Sequence, residues 1–266
     1  MALLQNKYWK LFWHFRKIQL MKMIEYRGDF FFWLIVSLMW TAFNYFFFYL
    51  IFGNAKTIAG WTLDELMVVL SFFTMIDALT WSVFWPNMSH YTEDVFSGKL
   101  SKYLLQPANS IFLLTTEHVT YHNIPRFFIG LIILILTALK MDVSVSFVQL
   151  LTIVALFITS VIFLYSGWFI LATCSFWVEK LQNINEIMPG FRRIYQVPRQ
   201  VYTGVTAITI SFIFPVGLVT SLPSEVLLRT TPWGLVLYFI GFTALFAFLA
   251  ISFFRISIRK YSSVGG

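Results

Sequence analysis

Apolar residues run along this chain in long unbroken stretches rather than at alternating or helical spacing. Phe30 to Phe52 form 23 positions without a charge, and a bilayer core is crossed by about 20 helical residues. The stretch predicts a transmembrane helix, and it exceeds the roughly 15-residue apolar region of a cleaved leader, so it is expected to stay in the mature protein. A second span is expected over 65–88, opened by the capping box Thr62-Leu63-Asp64-Glu65. A third covers 111–139, with a polar first third holding Glu117, His118, His122 and Arg126. A fourth runs over 145–178. The fifth, 200–222, lacks charge but contains Gly204, Pro215 and Gly217, which predict a break near its outer end. The sixth, 232–254, begins with a proline in its first turn, where a missing N–H costs nothing. The expected fold is an all-α membrane protein of six transmembrane helices, residues 30–266, preceded by a separate segment, 1–29. Gly234 and Gly241 offer a site of close packing on the sixth helix.

Composition supports this class. Apolar residues make up 59% of the chain and charged residues 12%, half the share of a soluble domain. Disorder is excluded by the aromatic content, and a disulfide scaffold by the single cysteine, Cys174. The net charge of +7 is a topology signal and not a nucleic-acid footprint, because the cations lie between the spans. Fifteen Lys and Arg fall in the N-terminal segment, the even-numbered connections and the C-terminus, against three in the alternate loops. The positive-inside rule therefore places both termini in the cytoplasm of a multi-pass protein of the inner or plasma membrane. The alternate loops are short, which leaves function to the spans and the cytoplasmic face.

Three cytoplasmic segments stand out. Asn6 to Arg27 separates Lys7, Lys10, His14 and Lys17 from an arc of Tyr8, Leu11, Phe12, Phe15 and Ile18, the pattern of an amphipathic interfacial helix. It serves either as a positive-inside anchor or as a surface for membrane lipid or a partner. The loop after span two carries Tyr91, Glu93, Asp94, Phe96, Gly98, Leu100 and Leu104, and reads either as a plain connection or as a short helix offering an apolar knob to a soluble protein. The segment 179–204, interrupted by Pro189 and Pro198, is expected to lie along the membrane surface.

Ionisable groups at membrane depth are costly unless paired or hydrated. Asp77 stands about 16 Å from the inner end of span two and Arg126 about 12 Å up the antiparallel span three, so the two can pair. Such a pair either fixes helix register or meets a substrate or proton. His118, His122 and Arg126 would share one face of a continuous helix. The chain has no metal-binding HExxH pattern and no Gly-x-Ser-x-Gly elbow. Its one Gly-Lys pair, Gly98-Lys99, follows Glu93 where a P-loop requires glycine. Catalysis by this chain is not expected.

Gly60-Trp61-Thr62-Leu63-Asp64-Glu65-Leu66 before span two, Gly98-x-Leu100-x-x-x-Leu104-x-x-Pro107 after it, and Phe214-Pro215 followed by Ser221-Leu222-Pro223-Ser224 together resemble permease subunits of ABC-2 type ABC transporters, over essentially the whole chain. Ser101 stands where many members carry aspartate. The resemblance implies an ABC-2 permease fold of the type V exporter kind and dimerisation with an identical or homologous permease. It also implies docking on separate ATP-binding cassette subunits that hold ATP and Mg. Residues 91–105 would be the coupling helix, 1–29 the interfacial connecting helix, and 215–231 an outer re-entrant element. Asp77, His118, His122 and Arg126 are candidates for a substrate path. The rival readings are a proton-coupled secondary transporter working through Asp77, and a non-transporting membrane assembly protein.

Overall fold

The structure is a computed structural model that describes residues 2–53, 56–177 and 187–260. Its regular elements, among those residues, are helices. The first are α1 (Ala2–Glu25), α2 (Arg27–Phe52) and α3 (Leu63–Leu79), the last continuing through a π turn (Thr80–Phe84) into α4 (Trp85–Phe96). Then come α5 (Ser101–Leu104), α6 (Ser110–Thr116), α7 (Ile124–Lys140), α8 (Phe147–Thr173), α9 (Ile187–Phe191), α10 (Gly204–Ile208), α11 (Leu218–Leu228) and α12 (Trp233–Ser257). Among the described residues, five helical stretches are long and apolar enough to cross a membrane, and a bent pair makes a sixth if it counts as one span.

α3 lies at the centre, buried from Val68 through Ala78, while α2, α7 and α12 present rows of exposed Phe, Leu and Ile to the surroundings. That arrangement suits lipid, which needs no polar outer face. The Thr62 side chain accepts from the Glu65 N–H while the Glu65 carboxylate accepts from the Thr62 N–H at 2.7 Å, so the expected capping box opens α3. Nearby, Lys140 meets Asp64 at 2.7 Å and Gln149 donates to the Val226 carbonyl at 3.3 Å. The start of α3, the end of α7, the start of α8 and the end of α11 therefore share one end of the bundle.

Three expected spans are redrawn. The second does not stop at residue 88. The stretch Leu63–Phe96 is 34 residues long, about 51 Å of helix against a core of about 30 Å, so one end must project. Its π turn has a covalent cause: Pro86 has no N–H for the Ser82 carbonyl, and its ring pushes that carbonyl aside.

The third span is not continuous over 111–139. It divides into α6 and α7 around residues 117–123, where Pro125 opens α7. The broken backbone is received by the π turn, with Thr120 N–H donating to the Ser82 carbonyl at 2.9 Å and the Thr120 hydroxyl to the Trp81 carbonyl at 2.8 Å. Buried Asn87 completes the join, accepting from His118 N–H at 3.0 Å and donating to the His118 carbonyl at 2.8 Å. With this break, His118 and Arg126 no longer belong to one helical face.

The segment before the fifth span differs most from its expected place. Residues 187–202 do not lie along the surface. They climb beside α3, because Arg192 reaches Asp77, the Tyr195 ring lies tilted against Phe73 with centroids 5.7 Å apart, and Val197 packs with the cluster of Leu66 and Leu70. Thr220 donates to the Tyr195 carbonyl and Arg199 N–H to the Ser221 hydroxyl at 2.9 Å, so the climbing segment also runs alongside α11. Non-helical backbone at this depth is tolerated where protein covers it. α10 and its own π turn (Thr209–Ile213) then bend by 88° into α11 around Phe214–Gly217, the break that Pro215 and Gly217 predict. The fourth span extends helically to Phe176; its expected end at Val178, and the first residues of 179–204, lie outside the described residues.

α1 also departs from expectation. Its arc of Tyr8, Leu11 and Phe15 faces the protein, with Tyr8 edge-on to Phe112 at 4.9 Å and Leu11 and Phe15 against the core. Ile18 of the same arc is exposed, as are Trp9, Trp13, Leu20, Met21 and Ile24 outside it. On the sixth span Gly234 and Gly241 have open space where a Cβ would stand. Gly130 on α7 is tight instead: its Cβ would come within 2.9 Å of Met75 Cγ and 3.0 Å of the Ser71 carbonyl oxygen on α3.

Candidate functional site

Two places combine chemistry with position: a buried charge cluster at mid-bundle, and the end of the molecule where α1, α4, α5 and α6 meet. Asp77 anchors the first. It is wholly buried on α3, and Arg126 of α7 donates Nη2 to its Oδ2 at 2.5 Å. Arg192, from the climbing segment, donates Nη2 to the same oxygen at 2.9 Å. Its Nε lies 2.6 Å from Oδ1, an ion pair by distance whose N–H is not aimed along the line. Arg126 is also held by Thr41 of α2, Nε to Oγ1 at 2.7 Å, and by Asn123 at 3.4 Å.

The cluster thus ties α2, α3, α7 and the 187–202 segment together, and it carries one negative against two positive charges. Desolvation makes such a group costly unless its geometry is good, and here each guanidinium has more than one contact. Arg126 is nearly inaccessible, whereas Arg192 keeps 18% of its side chain exposed and lies over the faces of Phe73 and Trp40, at 5.3 and 5.8 Å. Arg192 was not among the residues that the sequence singled out. It follows a proline-interrupted stretch with no long apolar run, and only the excess of Arg over Asp at depth could have pointed to it.

The second charge cluster was likewise hidden. Glu225, buried on α11, accepts from Arg199 in a fork at 2.9 and 3.2 Å and from Gln200 at 2.7 Å. It fixes the upper part of the climbing segment on α11, a use for which bidentate Arg is suited.

At the far end, α4 stops at a left-handed glycine, Gly98 with φ +71°, and Leu100 N–H returns to the Asp94 carbonyl at 3.1 Å. The residues expected to couple with a partner divide into two sets. Tyr91 and Leu100 are wholly buried: the Tyr91 hydroxyl lies 3.2 Å from that of Thr173, and its ring packs on Phe169 and Phe254. Asp94 is nearly buried and pairs with Lys102 at 3.0 Å. These three hold the loop to the bundle, because the turn at Gly98 folds α5 back onto α4. Phe96, Gly98 and Leu104 are partly covered, and Glu93 is exposed. Leu105, 85% exposed, is the outward apolar tip.

α1 clasps this end. Lys7 donates to the Pro107 carbonyl, Arg16 to the Thr116 carbonyl, and Gln19 to the Glu117 carbonyl at 3.3 Å. His118 stacks on His90 of α4 at 3.9 Å between ring centroids. Burial pushes the His118 pKa down to about 4, helped by the charges of His90, Lys22 and Lys102. His122 sits apart, its ring 6.4 Å from that of Trp33.

No curated protein and no solved structure matches the chain. A family model does, that of the ABC-2 family transporter protein, over residues 38–265. With its helical build and its five to six membrane-crossing stretches, the chain belongs to the ABC-2 transporter family and is a multi-pass membrane protein of the permease type.

Proposed function

We propose that this chain is the permease subunit of an ATP-driven exporter, that it pairs with a second permease, and that separate ATP-binding cassette subunits dock on the end formed by α1 and residues 85–118. The observation that carries the reading is the projecting helix. The stretch Leu63–Phe96 outruns a bilayer core and ends in a glycine-capped turn with an exposed apolar tip at Leu105. A chain built only to sit in lipid has no use for such an extension. A partner pushing on it would act directly on α3, the most buried helix, and through it on Asp77 and its two arginines.

Along the sequence, the N-terminal segment, the connections after spans two and four and the C-terminus carry the excess of Lys and Arg. Withdrawing Arg192 and Arg199, which pair inside the bundle, leaves thirteen cations against three, and this supports cytoplasmic termini. Both oxygens of Asp77 lie within ion-pair distance of a guanidinium group, an arrangement that supports a tie between helices over a proton path. The reading is tested by purifying the tagged chain from its own membrane in mild detergent. A co-purifying cassette ATPase supports it, and a folded chain that brings down no ATPase overturns it.

A further inference from the structure

A cavity of about 470 Å³ opens between α2, the π turn with α4, and the start of α7. Four indoles wall it. Trp33 and Trp40 stand seven residues apart on α2, about 10 Å along the helix, and both are roughly half exposed. Trp81 and Trp85 face them from the π turn and α4, their rings 5.2 Å apart. The back of the cavity is polar and cationic: Arg126 and Arg192 both line it, whereas Asp77 does not.

Charge decides what suits this space. Among the described residues, no carboxylate other than Asp77 lies within ion-pair distance of either arginine, so the site holds one positive charge in excess. Buried cations demand a counter-charge. Arg192 lines the cavity and keeps 18% of its side chain exposed, and a guanidinium fork is fitted to an oxyanion. An indole cage alone would favour a cation, but two guanidiniums at its back repel one. The exposed rims of Trp33 and Trp40 leave the cavity open sideways, the direction from which lipid or a lipid-like molecule arrives.

We infer that this cavity is a binding site for a membrane-borne anionic amphiphile, its phosphate or carboxylate head on Arg192 and its apolar body between the indoles of α2 and those of the π turn and α4. On the permease reading this names the class of cargo. The binding itself needs neither ATP nor a cassette subunit, so its failure leaves the co-purification result untouched, and failure of co-purification leaves the binding untouched.

The test uses the full chain in phosphatidylcholine nanodiscs, with tryptophan fluorescence quenched by added bromine-labelled lipids of matched chains: phosphatidylglycerol, phosphatidylcholine, or a cationic lipid. Phosphatidylglycerol is expected to quench preferentially. Arg192→Gln should lower its apparent affinity about tenfold, the loss of one charge-assisted contact, and Arg192→Lys should retain most of the preference. Trp40→Ala, which leaves the ion pairs intact, should weaken binding of the same lipid and serves if Arg192→Gln does not fold. Equal quenching by the three lipids, preference for the cationic one, or a preference unchanged in both Arg192→Gln and Trp40→Ala would overturn the inference. So would displacement of phosphatidylglycerol by inorganic phosphate, which would make the ligand a soluble anion.

Discussion

At the scale of the residue, one carboxylate held by two guanidiniums responds unequally to substitution. Asp77→Asn strands two cations in the bundle, and breaking a buried pair in this way costs about 3–5 kcal/mol. Arg192→Gln leaves the Asp77–Arg126 pair one to one, with Thr41 and Asn123 still on Arg126, and is expected to cost less than half as much. Thermal unfolding of the purified chains in detergent ranks them; the reverse order would mean that Arg192 is the principal partner. Outside the spans, His118 supplies a pH dependence. Its folded pKa lies near 4 against 6.5 for the free side chain, so between those values the unfolded chain binds more protons and stability must rise with pH. The protein is expected to lose stability as pH falls from about 6.5 toward 4, and His118→Gln to reduce that slope in melts taken across the range. The possibility of pairing Asp77 with Arg126 was legible from depth alone. Arg192 was not, because the fold that brings it there is not helical and leaves no periodicity to read.

At the scale of the element, prolines set the irregular points, and two of the freed carbonyls, those of Ser82 and Val219, find other donors. Pro223 lies inside α11 and cannot donate to the Val219 carbonyl, which accepts instead from the buried hydroxyl of Ser160 on α8 at 2.7 Å. Ser160→Ala leaves that carbonyl unsatisfied and should cost about 1–3 kcal/mol. Adding Pro223→Ala restores an N–H in place, so the double variant should recover part of the loss; melts that show simple additivity would refute the pairing. Close approach of α3 and α7 depends on Gly130 in the same local way. Gly130→Ala forces Met75 and the Ser71 carbonyl to move and should destabilise by about 1–3 kcal/mol of overpacking, whereas Gly241→Ala, with open space around it, should not. The six apolar runs announced the elements well, and Pro215 with Gly217 announced the bend before α11. What composition could not supply was the split of the third run. There Pro125 weakens the preceding turn without fixing what replaces it, and the π turn opposite, with carbonyls to offer at Trp81 and Ser82, favours the open form.

At the scale of the whole molecule, the projecting end separates residues that build a docking surface from residues that present it. Leu100 and Tyr91 resemble surface candidates in the sequence because their neighbours are charged, yet Tyr91 is buried on α4 against Phe169 and Phe254, and the turn at Gly98 carries Leu100 into the core. Leu100→Asp would bury a charge beside Tyr103 and the bundle, so loss of a partner in that variant would say only that the loop had collapsed. Leu105 discriminates. Its side chain is 85% exposed and makes no part of the buried core, so Leu105→Asp should leave the melting temperature within the range of ordinary surface changes, about 0.5 kcal/mol. If a cassette subunit seats on this tip, the same substitution puts a charge into an apolar contact and should weaken co-purification about tenfold or more, the scale of truncating a central interface residue. Unchanged co-purification with Leu105→Asp would move the docking surface away from α5, toward the exposed Glu93 side of α4 or the outer face of α1.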